Sequence, residues 1–292
     1  MTASSSTTLL NRKRLTDWVG VAPFTLFAVM FLIAPTLYLV TGAFMNAEGQ
    51  PTLENIAGLF TPKILASYSI SLKISLASAF GGALVGFFLA WAVVLGGVPS
   101  WIRSAIMTFS GVASNFAGVP LAFAFLATLG RTGLVTIILR DWFGFNLYAT
   151  GFNLLSFFGL TLTYMYFQIP LMVLIITPAL DGLKKEWREA AEMLGASTFQ
   201  YWTRVALPIL FPSILGTFLL LFANAFGAIA TAYSLTGSTF NIVPIQLYAQ
   251  IRGDVLHNPN LGYALALGMI VITGLSNLIY IWMRIRAERW QK

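Results

Sequence analysis

The sequence predicts an all-α integral membrane protein with six transmembrane helices. Hydrophobic residues fill 58% of its 292 positions and charged residues only 9%, where a soluble domain carries roughly 25% charged. Mean hydropathy is +0.80. The charges are also clustered, which leaves uncharged runs at 18–47, 142–180 and 205–251. A helix needs about 20 apolar residues to cross the hydrocarbon core of a bilayer. The absence of cysteine excludes disulfides, thiol redox chemistry and cysteine metal sites. The net charge of +7 takes its meaning from which side of the membrane the cations face.

Residues 1–16 read as a polar tail and 17–292 as a single membrane domain. The tail carries Arg12, Lys13 and Arg14. The uncharged run from Trp18 is too long for the apolar core of a cleaved signal peptide, so it reads as a retained first span. Spans are expected at about 18–41, 70–95, 104–129, 154–180, 209–233 and 261–283. In the first, Pro23 falls where a missing N–H is tolerated, and Pro35 is expected to kink the far end. Lys73 lies near the start of the second and can snorkel to the interface. Gly96-Gly97-Val98-Pro99 is a turn signal. The stretch 234–251 holds Gly237, Ser238, Asn241, Pro244 and Gln246, too polar for a lipid-facing helix. It is expected to be re-entrant or external and packed on protein.

Six spans put both termini on one side. Twelve of the 17 Lys and Arg fall on that side, among them Arg103, Lys184, Lys185, Arg188 and Arg204; five fall on the other. The positive-inside rule makes the richer side cytoplasmic.

The segment 181–208 is the exception to the greasy pattern: 8 of the 24 residues from Asp181 to Arg204 are charged. Leu183, Trp187, Ala190 and Leu194 recur at helical spacing and form one apolar face. Gly195 can take positive φ and end that helix. Ser197 and Gln200 fit a capping box that starts the next one. Phe199, Trp202, Ala206 and Ile209 continue at helical spacing, and Pro208 stands where the chain should bend back into the membrane. The ordinary alternative is a solvated loop with charged helices.

The order Glu189-Ala190-Ala191, Gly195, Leu207-Pro208, placed between the fourth and fifth of six spans, resembles the cytoplasmic signature of permease subunits of binding-protein-dependent ABC importers. The resemblance covers roughly residues 65–285 and implies the type I importer permease fold in a bacterial inner membrane. It implies that the loop is a coupling helix seated in a groove of an ATPase. Glu189, Ala190, Ala191, Leu194 and Gly195 are then the expected docking residues. The implied partners are two ATPase subunits that bind ATP and magnesium, a second, related but non-identical permease chain, a periplasmic solute-binding protein, and membrane lipid. Nucleic acid is not among them.

Nothing in the chain points to chemistry of its own. No Gly-x-x-x-x-Gly-Lys-Ser/Thr phosphate loop occurs, so ATP must be hydrolysed elsewhere. No triad or paired carboxylates can be assembled from so few charges, and no cofactor or metal site is expected. His257, the only histidine, reads as a surface residue. Polar residues inside spans are the more informative set, because polar groups are costly in lipid. Asn115, Gln168, Asn224, Thr231 and Tyr233 are candidates for the translocation path. For each the alternative is an interhelical hydrogen bond. Gly81, Gly82 and Gly86 read as close helix packing.

The segments Ala-Thr-Ala-Tyr-Ser-Leu-Thr-Gly at 230–237 and Arg-Gly-Asp-Val at 252–255 resemble permeases of the polyamine, iron and phosphonate group, which makes a polyamine-like solute the expected cargo. The stretch around 233–254 resembles the periplasmic gate region of binding-protein-dependent importers; a plain connecting loop is the alternative. Two other classes compete. An ion-coupled secondary transporter usually needs ionisable groups at mid-membrane, and Lys73 is the only charge inside an expected span. A structural anchor for a cytoplasmic partner would not need polar residues buried along its spans.

Overall fold

The computed structural model describes residues 20–237, 240–252 and 258–288. The tail 1–16 and His257 lie outside them. Among the described residues six helices are long and apolar enough to cross a membrane: Gly20–Ala43, Pro62–Leu95, Val119–Phe143, Phe157–Asp181, Thr198–Gly227 and Pro259–Met283. The fold is all-α, and its one β feature among the described residues is an isolated bridge, Met45 to Pro51.

The first helix, α1 (Gly20–Ala43), runs without a break through Pro35. A π-helical turn over Val29–Ile33 precedes it, and the Ala34 N–H bonds back to Val29 O. The wider turn makes room for a ring that would otherwise strike the carbonyl four residues earlier. The same device precedes Pro208. Trp202–Ala206 is π-helical and the Leu207 N–H reaches Trp202 O. The chain continues through Pro208 as helix.

The core is α2 (Pro62–Leu95) lying along α6 (Phe157–Asp181). Small residues let the two approach closely. Ala79, Ala83 and Ala90 meet Met172, Val173, Ile176 and Leu180. At Gly82 an added Cβ would come within 2.7 Å of the Gln168 Cβ, so the glycine is required by contact. At 34 residues, α2 is about 51 Å long, well beyond a hydrocarbon core of about 30 Å. It begins at Pro62, eight residues before the expected span. One side of its extra turns is buried, at Ile64 and Ser67, and Ile64 packs with Val243 and with Leu265 of the last span.

The third crossing differs from the unbroken 104–129 expected. It consists of α3 (Ser100–Asn115) and α4 (Val119–Leu129), broken at 116–118. One end is tied to the end of α6 and the other to the turn at 147–150 that precedes it. Arg103 donates to Asp181 at 2.6 Å, and the Tyr148 hydroxyl donates to Leu129 O at 2.9 Å, just before the chain enters α6. The apolar stretch Val119–Phe143 is likewise interrupted after Leu129, and α5 (Leu134–Phe143) is a separate helix.

After the charged helix α7 (Lys185–Met193), α8 (Thr198–Gly227) returns along α2 and α6. It ends at Gly227, six residues before the expected limit. The chain restarts as the short α9 (Ala230–Thr236). The polar stretch beyond it is not a seventh crossing. Its helix α10 (Val243–Arg252) is packed on protein, with Val243 fully buried and its N–H bonded to Ser71 Oγ at 2.9 Å. The last span, α11 (Pro259–Glu288), closes against α8 and α10 and meets the far end of α1 through a Tyr38–Tyr263 edge contact.

Candidate docking loop and path residues

The loop between α6 and α8 is built by local rules that its own residues satisfy. Helix α7 ends in a Schellman motif: the Ala196 N–H bonds Ala191 O at 3.0 Å and the Gly195 N–H bonds Glu192 O at 2.9 Å. Gly195 adopts φ +79, a conformation that costs other residues roughly 1–2 kcal/mol. Two residues later a capping box forms. Ser197 Oγ accepts from the Gln200 N–H at 3.2 Å, and Gln200 Oε1 accepts from the Ser197 N–H at 2.8 Å. Arg188 pairs with Glu192 at 2.9 Å along α7, an exposed contact worth at most about 0.5 kcal/mol. Trp202, at the start of α8, stacks edge-on against Trp91 at the end of α2, with ring centroids 5.9 Å apart. The loop is therefore tied to the core at both ends.

Its apolar face divides in a way periodicity alone does not show. Leu183 turns inward onto the core between α2, α6 and α8. Met193, Leu194 and Phe199 project outward, 89%, 88% and 76% exposed. Three large apolar side chains are thus left bare around the Gly195 turn. Glu189, Ala190 and Gly195 are exposed beside them and Ala191 is half-buried. Met193 was missed in the sequence reading because it lies off the i, i+4 stripe. Its exposure follows from the turn at Gly195.

The five path candidates separate into two groups. Thr231 and Gln168 are buried, 2% and 0% exposed. Thr231 Oγ1 accepts from the Gly118 N–H at 2.7 Å. Gln168 Nε2 donates to Ser78 Oγ at 3.0 Å across the α2–α6 contact, and its Oε1 has no partner among the described residues. These two side chains sit in helix packing and present no free surface. Asn115, Asn224 and Tyr233 are exposed. Asn115 sits at the end of α3 and donates to Gly111 O at 2.9 Å. Asn224 lies one turn before α8 ends, with no hydrogen bond to its side chain among the described residues. Tyr233, on α9, packs against Tyr248 with rings 5.6 Å apart.

The break between α3 and α4 thus meets the gap between α8 and α9. Gly118 holds φ 72 and ψ −145, a backbone state essentially closed to other residues, and faces Ala230 and Thr231 at the start of α9. The run Gly118-Val119-Pro120 carried a signal for the first break, since a glycine followed by proline is a helix interruption. The second, at Ala228-Ile229, has no such signal. Among the described residues no group of three or more His, Asp or Glu side chains is placed to hold a metal.

Comparison with known proteins agrees with this architecture. A family model described as the binding-protein-dependent transport system inner membrane component matches residues 82–291. The spermidine/putrescine transport system permease protein PotB of Haemophilus influenzae is 25% identical over 288 residues, covering 91% of this chain and 92% of the relative. The molybdenum transport system permease protein ModB of Escherichia coli K12 is 28% identical over 186 residues, 63% of this chain and 78% of the relative. A probable sulfate transport system permease protein, cysT, of Nephroselmis olivacea is 24% identical over 239 residues, covering 81% of this chain and 78% of its own. In fold, a chain of a bacterial transporter that imports alginate, crystallised with an alginate pentasaccharide-bound periplasmic protein, superposes with a TM-score of 0.72 at 17% identity over 94% of this chain and 96% of that one. The six apolar helices, the broken third crossing and the family match over most of the chain lead to one conclusion: this chain belongs to the binding-protein-dependent transport system inner membrane components, the permease subunits of ABC importers.

Proposed function

We propose that this permease is driven through the loop at 181–208, which faces the cytoplasm and receives an ATPase subunit on Met193, Leu194 and Phe199, with Glu189, Ala190, Ala191 and Gly195 shaping the contact. The observation that carries the reading is the bare apolar turn itself: 88% exposure of Leu194 on a loop capped at both helix ends. A rigid, capped element transmits displacement, and its tether through Trp91–Trp202 leads into α2 and α8. ATP and magnesium belong to that partner. One permease chain encloses no path by itself, so a second, related permease chain completes it, and a periplasmic binding protein delivers the solute. Both termini lie on the loop's side, as the bias of Lys and Arg supports.

The path runs past the junction of the α3–α4 break and the α8–α9 gap, where Asn115, Asn224 and Tyr233 are available to a passing solute. Irregular backbone within a bilayer is tolerated where it is buried in protein or lines a cavity. A polyamine-like solute is the proposed cargo. Its support is that the spermidine/putrescine relative aligns over nearly the full length of both chains. An oxyanion is the second reading, since sulfate and molybdenum permeases are also relatives, over 81% and 63% of this chain. Proteoliposomes holding the permease pair, the ATPase and the binding protein test both levels. Uptake should require ATP and binding protein together; uptake driven by an ion gradient alone overturns the first level. Retention of sulfate or molybdate, with no polyamine, by the cognate binding protein overturns the cargo assignment.

A further inference from the structure

Behind the docking turn lies a cleft of about 610 Å³, and Glu189 is the one residue of the proposed docking contact that lines it. One wall is the end of α2, with Trp91, Val94 and Leu95; the other is the start of α8, with Tyr201 and Trp202. Helix α7 forms the rim. The cleft therefore sits where α2 leaves the hydrocarbon and α8 enters it, the level at which tryptophan concentrates in membrane proteins. Its volume is in the range of sites that hold small molecules.

The charges on the rim are unbalanced. Lys184, Lys185 and Arg188 line it together with Glu189 and Glu192. Arg188 is committed to Glu192 at 2.9 Å. Asp181 is committed to Arg103 at 2.6 Å, and Glu186, next to Lys185 in sequence, does not line the cleft. Lys184 lies over the Trp187 ring, 5.8 Å from its centroid, and neither it nor Lys185 has a carboxylate partner among the described residues. Two unpaired ammonium groups and one carboxylate, Glu189, thus share a cleft with an apolar floor at the bilayer surface.

We propose that this cleft is a binding site for an anionic phospholipid headgroup, with Lys184 and Lys185 on the phosphodiester and Glu189 accepting from headgroup hydroxyls. The glycerol backbone and acyl chains would leave past Trp91 along α2. A phosphodiester, with one negative charge, matches the single positive charge that the two lysines and Glu189 leave between them. A hydroxylated headgroup, unlike a second phosphate, does not repel Glu189. The site rests only on the membrane placement of the chain, so failure of the ATPase-docking reading would leave it standing.

The test is native mass spectrometry of the full-length chain purified in detergent and offered equal amounts of phosphatidylglycerol, phosphatidylethanolamine and phosphatidylcholine. The wild-type chain should retain phosphatidylglycerol preferentially, by about five-fold for each lysine engaged. The double variant Lys184→Gln/Lys185→Gln should bring retention to parity. Lys63→Gln, on the opposite end of α2, should leave the preference intact. Because all three lysines are exposed, the variants should keep wild-type circular dichroism. Equal retention of phosphatidylglycerol and phosphatidylethanolamine by the wild type overturns the anionic assignment. A preference that survives in the double variant overturns the location. Displacement of the lipid by excess inorganic phosphate overturns the lipid in favour of a free anion.

Discussion

The backbone N–H of Gly118 donates to the hydroxyl of Thr231 across 2.7 Å, and this bond joins the break between α3 and α4 to the gap between α8 and α9. It satisfies a donor that the interruption of α3 and α4 would otherwise leave open. It also couples α4 to α9, so the half-helices on that side of the breaks are held as a pair. Discontinuous helices are the usual architecture at the midplane sites of secondary transporters; here they are built into a permease.

Thr231→Val keeps the shape of the side chain and removes the acceptor. The half-buried Gly118 N–H is then unpaired, at a cost of about 1–3 kcal/mol. The melting temperature in detergent should fall by several degrees, and Thr231→Ser should melt with the wild type. Identical melting of Thr231→Val and the wild type would show that the bond holds nothing.

The pair of Ser78 and Gln168 lends itself to a double-mutant cycle. Ser78→Ala strands a fully buried amide and should destabilise by about 1–3 kcal/mol. Gln168→Leu in the same background removes the stranded group and should recover much of the loss. Additive losses in the thermal-shift measurement would contradict a direct bond.

The docking turn should separate from the fold under mutation. Leu194 is 88% exposed, so Leu194→Asp should leave insertion and melting unchanged while abolishing co-purification with the ATPase. Glu189→Lys and Gly195→Pro should insert normally and uncouple ATP hydrolysis from uptake. Unimpaired uptake in all three variants removes the loop from the mechanism.

Ser197→Ala deletes one half of the capping box and should cost about 1 kcal/mol. The loss is local. Amide exchange should rise in residues 198–201, and protection deeper in α8 should hold. Uniform acceleration along α8 would mean that the cap does not act at its own terminus.

The natural absence of cysteine makes the path directly testable. Asn115→Cys and Asn224→Cys should react with a membrane-impermeant maleimide in assembled transporter, because both positions are exposed beside the breaks. Gln168→Cys, at 0% exposure, should resist it. Equal reactivity at all three positions would refute the division of the candidates into two groups.

What the sequence determined by itself is whatever depends on short range. Uncharged runs long enough to cross lipid announced the class, because burying backbone in hydrocarbon permits few alternatives. The end of α7 at Gly195 and the start of the next helix at Ser197 were legible for the same reason: positive φ and a side-chain cap are decisions of two to four neighbouring residues. Pro35 and Pro208 each marked a place where the helix departs from regular α geometry, through a π turn just before the proline. The rest only tertiary structure decided. Gln168 and Asn224 look alike in sequence, each a polar amide among apolar neighbours. One is enclosed because Ser78 and Gly82 of α2 face it, and the other is open because nothing in the described chain does. That difference comes from which helix lies opposite, a contact between residues 90 positions apart. Periodicity within one helix carries no information about it.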